Sequence, residues 1–347
     1  AAPPGTATAA VARLIEGLPL HRYALPGAPE IAADLRDTEL GRSLRVRVET
    51  NRAVVVVPLT DGEAIWGFGQ RLDAFDLRGR RFEVWAQDGW NRMDSCYFAI
   101  PWLVSSRGYG LFVNSTGRLK VDVGAAKSDE LRIEIPEGGA EIWGFRGAPR
   151  DVVAAYTELV GRPRPAPDWV FQPWISRNSY LGAYEIDRTI ARMETNGLKA
   201  SAVVLEAWEE NLHNFRFETN RYPNPAGWIR SLHNRGYRVI CWTTSSILPG
   251  GSTYKEAKRR GFLVRNADGS EHVTRWLEDG RKMDFRIPEA RDFWRDLQVP
   301  LIEMGVDGFK TDGGEHMPDE WFHNEHPYHY QRATLDAFAK AGRAGIA

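Results

Sequence analysis

Cysteine is scarce in this chain: Cys96 and Cys241 are the only two among 347 residues. Two cysteines allow one disulfide but not a disulfide-stapled scaffold, and thiols that far apart read as free, mostly buried side chains. An excess of one charge is also missing, since 45 Lys and Arg meet 46 Asp and Glu. That balance leaves no electrostatic footprint for nucleic acid, and no polybasic stretch suits an anionic membrane. No uninterrupted apolar run reaches the roughly 18 residues of a membrane-spanning helix. The opening AAPPGTATAAVARLIEG has no basic stretch leading into an apolar one. It does not read as a secretory signal, and the sequence assigns no compartment and no oligomeric state. Neither a GxGxxG nor a GxxxxGKS/T fingerprint follows any strand-like run, which removes the usual support for nucleotide binding. HExxH and CxxC pairs are absent as well.

What is present is a folded-protein composition, with 43% hydrophobic and 26% charged residues, and a large aromatic inventory of 13 Trp, 11 Tyr and 15 Phe. So many rings fit either a large core with aromatic edges or a cleft that stacks sugar rings. Residues 40–150 read as short strands separated by Gly-rich turns: SLRVRVE (43–49), AVVVVPL (53–59), GYGLFVNS (108–115), KVDVG (120–124) and LRIEIPE (131–137). Period-two alternation with close turns predicts packed antiparallel sheets, a β-sandwich over about 1–160. A short helix at 151–159 leads into GRPRPAP (161–167), whose prolines mark a boundary.

From residue 169 the pattern alternates strand and helix. WVFQPWIS (169–176), ASAVVLEAW (200–208), YRVICWT (237–243) and VDGFKTD (306–312) read as strands. Helices are predicted at 184–197, where Ile186, Ile190 and Met193 share a face, at 224–236 behind the capping Asn224 and Pro225, at 288–305, and at about 330–341. Such units imply parallel strands. Every strand ends in polar or large aromatic residues: Trp174 and Ser176, Glu206 and Trp208, Trp242 and Thr243, Lys310 and Asp312. In a barrel those ends converge on one mouth, which favours a (β/α)8 arrangement over an open sheet. About 180 residues remain after Trp169, where a whole barrel takes about 250. The expectation is therefore a multidomain α+β chain: an N-terminal β-sandwich over 1–160, then the first half of a TIM barrel over 161–347, with about four β/α units.

Asp312 is the foremost candidate for chemistry. It ends a strand and is followed by Gly313 and Gly314, which allow close backbone approach to a ligand. Lys310 points to the same side, and an ammonium there favours an ionised carboxylate able to attack a sugar C1. The plainer alternative is a solvated strand end with a surface ion pair. Glu206 could accept hydrogen bonds from substrate hydroxyls. The rival reading of Glu206 is metal binding, with Asp312, Glu315 or His316 as partners, and His316, His323, His326 and His329 cluster in residues 315–330.

Nine ordered segments then carry a resemblance: GFGQR (67–71), YFAIPWLVSSRGYGLFVNS (97–115), FQPWISR (171–177), VVLEAW (203–208), RYPNPAGWIRSLHNRGYRV (221–239), CWTTS (241–245), RRGFLVRNADGS (259–270), MDFRIPEAR (283–291) and GVDGFKTDGGE (305–315). In these the chain resembles glycoside hydrolase family 31, the α-glucosidase and α-xylosidase family. The resemblance implies a galactose mutarotase-like sandwich before a (β/α)8 barrel, and cofactor-free hydrolysis of α-linked glycosides or oligosaccharides with retention through a covalent glycosyl–enzyme. It implies Asp312 as nucleophile, Lys310 and Glu315 as its supports, and Trp242 as the aromatic lining the reacting sugar's subsite. It implies Glu206 as a binder of a distal sugar hydroxyl, and Trp208 and Trp174, as strand-end aromatics, complete the expected substrate-binding set. Glu206 stands where most members carry Asp, and Arg286-Ile287-Pro288 replaces the usual Thr-Asn-Pro. The resemblance places the family's proton donor on strands after the fourth, beyond Ala347, with residues 332–347 as the helix leading to the fifth. The alternative classes are a non-catalytic carbohydrate-binding fragment and, from the histidines, a metal-dependent hydrolase.

Overall fold

The computed structural model describes residues 8–14, 22–26, 33–49, 52–87, 95–136, 140–211, 213–274 and 279–347. Glu137, at the end of an expected strand, and residues 1–7 and 15–17 of the opening segment lie outside them. The chain forms two compact units, Ala1–Arg164 with Asp319–Glu325, and Pro165–Pro318 with His326–Ala347.

The first unit is built on two sheets, antiparallel except where Ala33–Asp34 pairs parallel with Thr8–Leu14. One has six strands, in the order Ala33–Asp34, Thr8–Leu14, Ala140–Arg146, Tyr109–Asn114, Trp102–Ser105 and Ile65–Gly67. The other has five: Arg45–Glu49, Arg52–Pro58, Glu130–Pro136, Leu119–Val123 and Arg81–Val84. Alternation decides which side chains enter the core. In Glu130–Pro136 every second residue is buried, and Leu131, Ile133 and Ile135 join Val55, Val121, Leu111 and Ile142 between the sheets. Trp102–Ser105 and Tyr109–Asn114 are buried on both faces. Their second face is covered by the helix Pro149–Val160, whose Tyr156 stacks on Trp102 at 3.9 Å while Val152 and Leu159 fill the space beside Phe112 and Phe145. Such strands carry no alternation: GYGLFVNS was still read from sequence, but WLVS and AEIWGFR were not.

Asp319–Glu325 joins this unit although it follows the last core strand of the second. Asn324 is the reason. Its side chain accepts from the Ala86 N–H at 2.8 Å and donates toward the carbonyls of Val84, Thr116 and Gly117 at 3.1–3.3 Å. His323 stacks on Trp85 at 3.8 Å and bonds the Ala86 carbonyl at 2.6 Å.

The second unit contains four parallel strands, β1 (Trp174–Ser176), β2 (Ala202–Leu205), β3 (Arg238–Thr244) and, after an insertion, β7 (Gly308–Asp312). Helix α1 (Ala183–Thr195) joins β1 to β2, and α2 (Pro225–Asn234) joins β2 to β3. The insertion after β3 comprises β4 (Ser246–Ile247), α3 (Ser252–Arg259), β5 (Val273–Thr274) and β6 (Gly280–Lys282). Helix α4 (Pro288–Met304) leads to β7. After it come the short α5 (Glu320–His323) and then α6 (His326–Lys340). The strands lie in sequence order with no reversal, which is the winding of a barrel and not of a doubly wound sheet. Ile346 adds a parallel bridge to Gly308 on the outer side of β7. Gly308 is required there, since a Cβ would stand 2.5 Å from Ile346 and 2.8 Å from Ile240.

The fold is thus an N-terminal β-sandwich followed by the first half of a (β/α)8 barrel. Local differences have simple causes. Of WVFQPWIS only the last three residues are strand; Asp168–Phe171 is a 3₁₀ turn, because Pro173 offers no N–H to a ladder. The final helix starts at His326, earlier than expected. The β4–β5–β6 insertion was not anticipated, since strands of two or three residues show no period.

At the floor of the sheet, the buried Asp307 accepts from His233 Nε2 at 2.7 Å and from the Val239 N–H at 2.9 Å, next to Arg238 and Arg343. It precedes β7, so it lies at the end of the strand away from Asp312 and acts as a structural tie.

Asn324 gives the first prediction. Asn324→Ala leaves one buried N–H and three carbonyls without this partner, and urea unfolding of the chain should show a loss of about 2–4 kcal/mol. An unchanged midpoint would mean that Asn324 does not hold the 319–325 segment.

Candidate active site

The register of the parallel strands sets the site's layers. Val204 pairs with Ile240, and Ile240 with Gly308; one step higher, Trp242 pairs with Lys310, and above that Thr244 pairs with Asp312. Glu206 directly follows β2 and continues its inward face at the level of Trp242 and Lys310. The lower layer, Ala202, Val204 and Ile240 with Trp174 and Ile346, is apolar. The upper layers are polar.

Asp312 is oriented by two donors. Trp242 Nε1 gives a hydrogen bond to Oδ2 at 2.8 Å, and the Gly313 N–H gives one to Oδ1 at 3.0 Å. Lys310 Nζ lies 2.9 Å from Glu206 Oε1 and 3.8 Å from Asp312 Oδ2, and so stands between two carboxylates. Its side chain is 45% exposed against 22% for Asp312, so the cluster opens to solvent. Glu315 is mostly buried, with His316 Nε2 at 3.5 Å. Burial by itself would raise its pKa, but the bond from His316 and the nearby charge of Lys282 outweigh this and hold it below the ordinary range.

The other sequence candidates occupy different places. Trp208 is 1% exposed. It packs on Phe217 and donates its indole N–H to the Trp242 carbonyl at 2.9 Å. It therefore supports Trp242 from beneath. Trp174 sits at the start of β1, paired with Ala202 and stacked on Trp169 at 5.6 Å. That is four residues below the level of Lys310, about 13 Å along the strands, so Trp174 belongs to the floor and is not brought to the mouth.

The four histidines do not converge. His326 Nδ1 bonds the Gly314 carbonyl at 2.6 Å, His323 bonds Ala86, and His316 pairs with Glu315. Among the described residues no group of three or more His, Cys, Asp or Glu is arranged to hold a metal ion.

Two residues near the site, Lys282 and His213, escaped the sequence reading. Lys282 on β6 is fully buried, bonded to the Gly313 carbonyl and 3.3 Å from Ser245 Oγ. Glu209 and His213 form a buried pair with His213 Nδ1 3.6 Å from Glu209 Oε2, and the His213 ring centroid is 5.9 Å from that of Trp242. Burial pushes Glu209 up to about 8, against the pull of the His213 and Phe215 N–H groups. Burial also lowers His213 to about 3, so its imidazole is neutral at ordinary pH. A lysine or glutamate in a polar-looking loop gives no sequence signal of burial; only the tertiary packing creates it.

No helix among the described residues is long and apolar enough to cross a membrane. The family model described as "Glycosyl hydrolases family 31 TIM-barrel domain" matches residues 163–344, and that of the "Glycosyl hydrolase 31 N-terminal galactose mutarotase-like domain" matches residues 42–122. Among curated relatives, the chain is 28% identical over 295 residues to alpha-xylosidase XylQ of Lactiplantibacillus pentosus, covering 79% of this chain and 38% of that protein. It is 29% identical over 348 residues to a 1,3-alpha-isomaltosidase of Kribbella flavida, covering 83% and 47%. Among solved structures, the cycloalternan-degrading enzyme of Trueperella pyogenes, in complex with a covalent intermediate, superposes with a TM-score of 0.77 at 26% identity, over 88% of this chain and 50% of that one. A Flavobacterium johnsoniae family 31 dextranase complexed with glucose shares the fold, with a TM-score of 0.79 at 23% identity over 87% and 42%. The chain thus spans less than half the length of these curated relatives. With its barrel matched along more than half of its own length, this chain belongs to glycosyl hydrolase family 31.

Proposed function

We propose that the protein is a retaining α-glycosidase with Asp312 as its nucleophile. The observation that carries this is the convergence of Asp312, Lys310, Glu206 and Trp242 at the C-terminal end of four parallel strands, where barrel enzymes hold their chemistry. An attacking carboxylate must be ionised and aimed. Lys310 supplies the counter-charge, and the Trp242 and Gly313 donors fix the plane of the carboxylate.

In this reading Asp312 attacks C1 of an α-linked sugar, the glycosidic oxygen departs with a proton from a second carboxylic acid, and water then releases the sugar with its configuration retained. Glu206, bridged to Lys310, binds a hydroxyl on the far side of that sugar. The covalent intermediate named for the Trueperella enzyme supports the covalent route. The substrate is an α-linked glycoside or oligosaccharide, with xylosides and isomalto-type glucosides suggested by the relatives' names. A non-catalytic carbohydrate-binding role would use Trp242 and Glu206 without any need for two donors aimed at Asp312.

The test is covalent labelling of the full-length gene product by a 2-deoxy-2-fluoroglycosyl fluoride. Fluoride departs without acid assistance, so the label reports the nucleophile alone. Peptide mapping should find one sugar on Asp312, and none on the Asp312→Asn protein. A label elsewhere, or turnover without any label that EDTA abolishes, would refute the proposal. A second prediction concerns Glu206. Glu206→Asp withdraws the carboxylate by one methylene from both Lys310 and the sugar, and a panel of α-glycosides should be re-ranked by about tenfold or more in kcat/KM, with KM carrying much of the change. An unchanged ranking would remove Glu206 from the binding set.

A further inference from the structure

Behind Asp312 lies a charge that the mechanism above leaves unused. Lys282 ends β6 and pairs with Ser246 of β4. Its side chain is fully buried. Its ammonium donates to the Gly313 carbonyl and reaches Ser245 Oγ at 3.3 Å, and Ser245 Oγ in turn lies 3.4 Å from the same carbonyl. Gly313 has a left-handed φ of 63° and gives its N–H to Asp312 Oδ1. One peptide unit further, the Gly314 carbonyl accepts from His326 Nδ1 at 2.6 Å. The turn after the nucleophile is therefore held at two successive carbonyls, one of them by a buried cation.

A lysine is rarely buried without an opposing charge, because desolvating an ammonium is expensive. Here the compensating charges are Asp312 and Glu315. The other ionisable groups around it are His272 and its neighbour Arg281, and His316 stands beside Glu315.

We infer that Lys282 is a positioning residue for the nucleophile: by holding the Gly313 carbonyl from the buried side, opposite the Asp312 and Glu315 carboxylates, it fixes the turn that aims the Asp312 carboxylate. The inference rests on Asp312 being the nucleophile. Lys310 is the exposed counter-charge on the substrate side, and Lys282 is its buried complement from the inserted strands. Burial lowers the Lys282 pKa to about 8, with Glu315 and Asp312 pulling it back up. The ammonium, and with it the support of Asp312, is thus lost as pH rises through about 8. Stability moves the other way. Between about 8 and the ordinary lysine value the unfolded chain binds more protons than the folded one, so this group makes the fold more stable as pH rises.

Two measurements test this. In full-length protein carrying lysine labelled with ¹³C at Cε, the resonance missing from Lys282→Met should titrate near pH 8 and move to lower pH in Asp312→Asn, where one attracting charge is gone. Labelling by the fluoroglycosyl fluoride should slow by about tenfold or more in Lys282→Met and lose the fall above pH 8 that the unsubstituted enzyme shows. Lys282→Gln, which keeps a donor toward Gly313 but no charge, should recover part of the rate and none of the pH dependence. A Lys282 resonance titrating above pH 10, or unmoved by Asp312→Asn, would overturn the inference. So would Lys282→Met labelling at the normal rate with the alkaline fall intact. If the unsubstituted enzyme never labels, the reading of Asp312 fails instead, while the resonance still decides whether the two charges are coupled. If Lys282→Met does not fold, Lys282→Gln and Lys282→Arg serve to identify the resonance, and the Asp312→Asn comparison decides.

Discussion

The register of four parallel strands is the constraint on which the site depends. Once Ile240 pairs with Gly308, Trp242 must pair with Lys310 and Thr244 with Asp312. The period-two alternation of strand side chains then sends Trp242, Lys310 and Asp312 to one face. A slip of one residue would turn all three toward the opposite face and replace them with Cys241, Phe309 and Thr311. The opposite face resists that slip, because a shifted strand would turn Lys310 and Asp312 to the side on which Val203, Val239 and Phe309 are buried.

Polar chemistry above an apolar floor needs support from behind. The Trp208 indole bonded to the Trp242 carbonyl, Tyr330 against Thr243 at 3.4 Å, and Lys282 and His326 on the Gly313–Gly314 turn all belong to buried side chains. Tyr330 also stacks on Phe285 at 5.8 Å, which ties helix α6 to the segment that follows the β6 strand. Among the described residues, Trp242 and Gly313, the donors to Asp312, are themselves held, and this fixes the orientation of the carboxylate.

Much of this was legible in the sequence. The alternation in LRIEIPE marked a sandwich strand, and the Pro and Gly punctuation at 225, 236, 288 and 305 marked the ends of barrel helices. The shared face of Lys310 and Asp312 followed from their spacing alone. Strands buried on both faces were legible only in part: GYGLFVNS was read from its bounding turns, while nothing alternates in WLVS. The placement of Trp174 was not legible: a tryptophan in a three-residue strand looks the same at the floor as at the mouth, and only the pairing with Ala202 distinguishes them. The burial of Lys282 and Glu209 was hidden for a different reason. Charged residues in a loop-like segment read as solvated, and their burial depends on elements distant in sequence, such as Ser245 and Gly313 for Lys282.

The central claim is that Asp312 forms the bond to sugar C1, and chemical rescue tests it most directly. Asp312→Ala in the full-length gene product, given an α-glycosyl fluoride and azide, leaves a cavity where the carboxylate stood. Azide entering there attacks C1 from the nucleophile's side as fluoride leaves. The account predicts a β-glycosyl azide, formed only when azide is present. Isolation of the α-glycosyl azide, or undiminished hydrolysis by Asp312→Ala without azide, would contradict it.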